Sequence, residues 1–426
     1  DDHLSVNVNA KGVYTSNSWA NQSAIGAANR MNPTLPVYDE KGINGYYTWY
    51  SPNGSVNTMA TMNPVALLYD KTDKSEANRI IGNVQLDYKI HGFEDLRVNV
   101  NLGIDYASSN GYSSTPIGSE QSIHSTDQSG SGYRSDYSYT RADKTFEAYV
   151  AYNKDINKHH VDAMLGYSWQ QFYNKSRNYS YKLTDGAKLS EGNPAGELFL
   201  VSFFGRANYS LLDRYLLTAT VRYDGSSRFK DHWALFPSFA FGWRIKEEAF
   251  LKDVDALSDL KLRLGYGQTG QQEGIGDYNY FASYNVNTAV DSFYPLIGNG
   301  QLNRPIAYNN NLTWETTTTY NAGLDFGFWN GRLTGNIDWY YRETTDLLNT
   351  VSVAAGSNFR NQVMSNIGSL KNTGIEASLN WKAISNNDWL WDLGVNFTYN
   401  QNEITELVDG DYQLTGGISS GTGNMC

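Results

Sequence analysis

The sequence predicts an all-β fold, a transmembrane antiparallel up-and-down β-barrel of which this chain supplies part of the wall. Three observations predict it. Side chains alternate between apolar and polar with a period of two along most of the chain. The connections are short and long by turns, so nearly every short one falls at one end of the strands and every long one at the other. The segments number about thirteen and run to about 10–17 residues, beyond the ~5–6 of a globular strand and enough for the ~9–11 of a tilted membrane strand.

In chain order, Leu4, Val6, Val8 and Ala10 oppose Ser5, Asn7, Asn9 and Lys11. Val84, Leu86, Tyr88 and Ile90 then oppose Asn83, Gln85, Asp87 and Lys89. In LRVNVNLGIDY the residues Leu96, Val98, Val100, Leu102, Ile104 and Tyr106 face one way, and Arg97, Asn99, Asn101, Gly103 and Asp105 the other. The pattern returns in TFEAYVAYN, HVDAMLGYSWQ, RYLLTATVRYD, LKLRLGYG, YNAGLDFGF, RLTGNIDWYYR, GIEASLNWK and WLWDLGVNFTYN. Short connections are expected at 91–95, 154–159, 211–214, 330–331 and 383–388, with a medium one at 246–259 that has room for a short helix. Long polar connections fall at 16–79, 113–135, 176–198, 271–315, 350–362 and from 403 onward. The exception is SSRFKDH, a tight closure at the long-loop end. Sorting of loop lengths by parity is how an outer-membrane barrel is built; a sandwich has no reason for it.

HWALFPSFAFGWRI, His232 to Ile245, shows what the alternation is for. Trp233, Leu235, Pro237, Phe239, Phe241, Trp243 and Ile245 share one face, while Ala234, Phe236, Ser238, Ala240, Gly242 and Arg244 share the other. In a membrane wall the aromatic face needs no partner sheet, because lipid is its solvent. Trp233 and Trp243 sit near the two ends of the apolar row, where interfacial girdles form.

Composition agrees. Aromatics are 14% of 426 residues, charged residues only 18%, and 39 Gly outnumber 9 Pro, a mixture that favours strands and polar turns over helices. A net charge of -11 argues against a nucleic-acid partner, which demands a basic face. No apolar run is long enough for a transmembrane helix, which leaves a barrel untouched. The one cysteine, Cys426, excludes an internal disulfide framework. No signal peptide opens the chain, so a piece of a longer protein is expected.

RYLLTATVRYDGSSRF, WALFPSFAFGWRIKEEAFL, LKLRLGYGQTGQQ, NNNLTWETTTTYNAGLDFGFWNGRLTGNIDWYYRETTDLL and NIGSLKNTGIEASLNW make the sequence specific. With the upstream RMNPTLPVYDEKG and NPVALL, they resemble the SusC/RagA-like TonB-dependent transporters of Bacteroidota outer membranes. The likeness runs over essentially the whole chain. It implies a plugged barrel of about 22 strands, with residues 1–426 as a partial barrel domain and the plug and N-terminal extension domains absent. It implies TonB-energised uptake of oligosaccharides or peptides through the Gram-negative outer membrane. A SusD-like surface lipoprotein would cap the mouth, and the missing N-terminal region would contact the TonB complex. No cofactor and no enzymatic activity are expected. The alternative is a barrel serving as an adhesin or protein-docking surface.

The candidate solute-contact residues are Tyr46, Tyr47, Trp49 and Tyr50 in GINGYYTWYSPNG, whose exposed rings could stack on sugars or hold peptide side chains. GYGQTG has the spacing of a dinucleotide loop, but no helical period follows it, so its glycines read as room for close packing. His159 and His160 are adjacent and point to opposite faces, which excludes a shared metal. Asp231-His232 and Asp162 with His160 read as solvated turns rather than a hydrolase site. Arg97, Asp105, Arg206, Arg222, Arg244, Lys261, Arg263, Asp325 and Asp338 fall on the inward face and are expected to form a hydrogen-bonded ladder between strands.

Overall fold

The computed structural model describes residues 2–125, 130–286, 303–353, 356, 358, 362–386, 388–406, 419–420 and 423–424. Thirteen strands lie side by side in chain order: β1 (Leu4–Ser18), β2 (Thr72–Ile90), β3 (Phe93–Thr115), β4 (Tyr133–Ile156), β5 (His159–Lys182), β6 (Ala195–Leu211), β7 (Tyr215–Ser226), β8 (Trp233–Arg244), β9 (Leu257–Gln271), β10 (Glu315–Phe328), β11 (Leu333–Thr345), β12 (Ser369–Ser385) and β13 (Leu390–Glu406). Every pairing is antiparallel between chain neighbours. A fourteenth, short strand, Lys188–Gly192, branches off beside β5. Among the described residues β1 and β13 each pair on one side only.

The register turns the alternation of single strands into continuous faces. Val6, Leu86, Val100, Ala148, Tyr167, Phe203, Tyr223 and Leu235 are consecutive partners across β1 to β8. Phe241, Leu264, Ala322, Trp339, Ile375 and Tyr399 carry a parallel row across β8 to β13. No second protein layer covers these rows among the described residues. Val6 is 51%, Phe203 50%, Leu235 56% and Phe239 54% exposed. Aromatic contacts edge the band: Tyr223 stacks on Trp233 at 4.8 Å at one end, and Tyr215 on Trp243 at 6.4 Å at the other. Trp233 and Trp243 are about 34 Å apart along the strand at ~3.4 Å per residue, or ~26 Å of height at a ~40° tilt, which matches an apolar band of ~25 Å.

The short connections leave from one rim and the long ones from the other, as the parity of the sequence requires. Residues 227–232 close tightly at the long-loop rim, as expected. The 246–259 connection holds only a single 3-10 turn, Ile245–Glu247, before β9 begins. Strands β3, β4 and β5 reach 23 or 24 residues, longer than the apolar pattern indicates. Their long-loop halves pair Ser, Thr, Asn and Tyr, which keep the ladder without apolar contrast.

The buried apolar clusters both sit at the long-loop rim. One gathers Phe229, Phe236, Ile275, Leu312 and Trp314; the other joins Ala24 and Ala27 of helix α1 (Ser23–Arg30) to Leu67 of helix α2 (Pro64–Tyr69). Phe236 is the one large ring on the inward face of its strand, and it is buried. It lies against Trp314, which reaches it from the β9–β10 loop, with ring centroids 5.6 Å apart. Gly270 leaves the room, since a Cβ there would collide with the Phe236 ring.

Candidate solute-contact surface at the long-loop rim

In the first long loop, residues 19–71, Asn63 joins several segments. Asn63 is 1% exposed and caps α2, its side-chain oxygen accepting from the Val65 and Ala66 N–H groups at 3.0 and 3.4 Å. Its Nδ2 donates to the Val37 and Tyr47 carbonyls at 2.8 and 3.3 Å, and its own N–H donates to Glu120 Oε2 at 3.4 Å. Glu120 opens the short helix α3 (Glu120–Ile123) in the next long loop, so Asn63 ties two loops 57 residues apart. The Glu120 carboxyl is buried, and burial pushes its pKa up to about 7. His124 Nε2 lies 3.8 Å from Glu120 Oε1, and burial lowers the pKa of that imidazole.

The four aromatics form two groups. Tyr47 and Trp49 meet edge to face at 5.6 Å. Tyr46 turns instead to Tyr38, 5.8 Å away, through a backbone bridge between the same two residues. Tyr50 bridges Val56 and donates its hydroxyl to the Lys41 carbonyl at 3.2 Å. Buried Thr48 fixes the bend between them, donating to the Tyr46 carbonyl and accepting from the Ile43 N–H, both at 3.1 Å. Tyr46, Tyr47 and Trp49 are half-buried, and Tyr50 is exposed. Burial, and then nearby Asp70, raise the Tyr46 pKa and keep that phenol neutral. The structure thus brings Tyr47 and Trp49 together as one L-shaped platform and sets Tyr46 apart from it.

On the inner wall, most expected ladder residues are paired. Arg79 grips both oxygens of Asp105 at 2.8 and 2.6 Å, and Arg263 bridges Asp325 at 2.8 Å and Asp338 at 2.9 Å. Arg222 pairs with Asp224 at 3.2 Å, and Arg244 donates to the Asp213 carbonyl at 3.3 Å. Arg97, Arg206 and Lys261 make no hydrogen bond or ion pair among the described residues. β9 runs straight through Gly265, Gly267 and Gly270, so GYGQTG opens no helix. His159 bonds Tyr209 and His160 bonds Asp155 rather than Asp162, while Asp162 accepts from Asn208. His232 faces the Ser226 carbonyl at 3.0 Å.

Sequence reasoning missed the rim stitch between the β7–β8 closure and the β9–β10 loop. Arg228 pairs with Asp277 at 3.2 Å and donates to the Gln272 carbonyl at 3.2 Å; Ser226 bonds the Gln272 side chain; and Trp314 Nε1 donates to the His232 carbonyl at 3.2 Å. These partners lie 44 to 82 residues apart, so no local spacing marks them.

The family description "TonB dependent receptor-like, beta-barrel" matches residues 12–424. TonB-dependent receptor SusC of Bacteroides thetaiotaomicron is 43% identical over 100% of this chain and 44% of its own length. TonB-dependent receptor P3 of Formosa agariphila is 31% identical over 91% of this chain and 38% of its own. The chain thus spans less than half the length of these curated relatives. Among solved structures, the RagAB peptide transporter superposes with a TM-score of 0.75 at 25% identity, over 96% of this chain and 46% of that one. The RagAB peptide importer in its open-open state gives 0.77 at 25% identity, over 98% and 46%.

Proposed function

The chain belongs to the family of TonB-dependent receptor-like β-barrels, and from that premise we propose that the whole protein imports oligosaccharides or peptides across the outer membrane. The observation that carries the reading is 43% identity to SusC over the full chain, on a sheet whose order, loop parity and lipid-facing rows are those of a barrel wall. Residues 1–426 supply wall strands and rim loops. The remaining strands and a plug would belong to the rest of the whole protein. A SusD-like lipoprotein caps the long-loop rim, the TonB complex drives import from the periplasm, and the work is transport rather than catalysis.

Within this reading the Tyr47–Trp49 platform contacts solute at the mouth, with Tyr46 and Tyr50 on its flanks. Deleting the gene should abolish growth on the cognate oligosaccharide or peptide, and restoring the whole protein should return it. Growth unchanged by deletion would remove the importer reading. Trp49→Ala and Tyr47→Ala in the whole protein should weaken solute binding measured by calorimetry, and an unchanged affinity would strike the platform from the site.

A further inference from the structure

The outward face of β6 to β9 is not level. Ala207 and Ala219 are partners across β6 and β7, and their row continues into Phe239 and Tyr266. The next row toward the short-turn rim runs Tyr209, Leu217, Phe241 and Leu264. The alanine pair beside these large side chains leaves a hollow of about 500 Å³, lined almost wholly by apolar groups. That volume falls within the range of small-molecule sites. Phe241 and Phe239 follow Trp243 along the strand, so the hollow lies ~7–14 Å from the girdle at ~3.4 Å per residue, in the half of the apolar band nearer the short turns.

The walls of the hollow are held in place. Phe239 stacks on Tyr266 with ring centroids 6.4 Å apart. The Tyr209 hydroxyl and His159 Nδ1 share a hydrogen bond of 2.7 Å, which fixes that ring from the rim side. At the girdle, Glu248 Oε1 accepts from the Tyr215 hydroxyl at 2.6 Å and from Trp243 Nε1 at 3.1 Å. One carboxylate of the β8–β9 turn thus fastens two girdle rings at the foot of the hollow. Aromatic girdles lie at head-group level, so a lipid whose head rests there sends its chain into the hollow.

We propose that the hollow is a binding site for one acyl chain of a phospholipid in the leaflet at the short-turn rim, with the head group level with Tyr215 and Trp243. The site depends on the barrel wall and not on what the whole protein imports. In a bilayer the hydrophobic effect does not choose between this site and bulk lipid, since both surroundings are apolar; close packing does. A flexible methylene chain follows the hollow and supplies the contacts that the short Ala207 and Ala219 side chains leave unmade. The wall of a second barrel is convex and meets this one on its ridges, the exposed Leu217, Phe239 and Leu264, with the alanine floor still uncovered. Shape therefore selects a lipid chain over a second copy.

The test uses the whole barrel in phosphatidylcholine nanodiscs that contain a tracer phosphatidylcholine with a diazirine midway along one acyl chain. After illumination, mass spectrometry maps the labelled residues. Label on Ala207, Ala219 and Phe239 should exceed that on the outward residues of β3 to β5 about tenfold, the mark of a preferred site. Ala219→Phe, which fills the floor, should remove the excess. Ala148→Phe on β4 adds the same bulk to the same face and should keep it, and the unfolding midpoints of both variants serve as the control for folding. Label spread evenly over the outward rows of the unaltered barrel would overturn the site and leave the wall standing. An excess that survives Ala219→Phe would overturn it as well. A dimer of barrels in sedimentation that Ala219→Phe splits, with no label on the floor, would assign the hollow to a second copy instead. No label on any outward residue would remove the lipid-facing wall together with the site.

Discussion

Along β8, Leu235 and Phe239 stand more than half exposed on one side of the wall, while Phe236 between them is 7% exposed on the other. Phe239 stacks on Tyr266, its partner in the row. The inward ring is locked among Phe229, Ile275, Leu312 and Trp314. The same contrast holds for charge: the inner wall carries the Arg79–Asp105 and Arg263–Asp325–Asp338 pairs, while on the outward side the pairs Arg134–Asp136 and Lys371–Glu403 lie beyond the apolar rows, toward the long-loop rim. Apolar surface left bare over many strands is unfavourable in water and favourable in lipid, whereas a wet lumen hydrates charged groups and drives large apolar rings to pack together. Two solvents act on one sheet, and each face is built for its own.

The sharpest break in that comparison is Phe236→Ala. It empties a packed inward site and should cost about 3–5 kcal/mol, read as a lower denaturant midpoint of the reconstituted whole barrel. Phe239→Arg, near the middle of the outward band, should cost about 2–4 kcal/mol in the same assay. Ser238→Arg, one residue away and facing the lumen, should stay within about 0.5 kcal/mol. Equal costs for the two arginines would mean that the faces share one environment.

A different contrast lies at the rim, where the first loop meets the next through a buried polar contact, Asn63 with Glu120. Glu120 holds its proton up to about 7 in the docked loop against an ordinary 4.5. The docked state therefore binds a proton that the free loop has released, and docking weakens as pH rises from 4.5 through 7. His124 acts in the opposite sense below its ordinary 6.5, because its charged form is the one disfavoured by burial. Amide exchange at residues 63 and 65–67, corrected for intrinsic rate, should be faster at pH 8.5 than at pH 6.5. Glu120→Gln should erase the difference. Smaller still, Asn63→Ala removes the α2 cap and should cost the loop about 1–2 kcal/mol, seen as earlier proteolysis within 19–71 and no change in the strands.

The strands, their parity and the lipid-facing rows were legible because each is a local or near-local property: period two, turn length, run length. Residues 133–139 of β4, where Tyr alternates with Arg, Ser and Asp, were not, since amphipathic rings beside polar groups give no apolar contrast. Tyr46, Tyr47, Trp49 and Tyr50 were legible as an aromatic loop, but not the way Thr48 turns Tyr46 from Tyr47. Asn63 with Glu120 and Phe236 with Trp314 depend on loops meeting at the rim, and no spacing within one segment encodes them.

The most direct measurement is collision accessibility of nitroxide labels placed singly at Ser238→Cys, Phe239→Cys and Ala240→Cys in a Cys426→Ser whole barrel reconstituted in lipid. The account predicts that the label at 239 collides with oxygen, which partitions into the bilayer, and that those at 238 and 240 collide with a water-soluble nickel complex. A label at 239 shielded from oxygen, or three labels with the same preference, would contradict it.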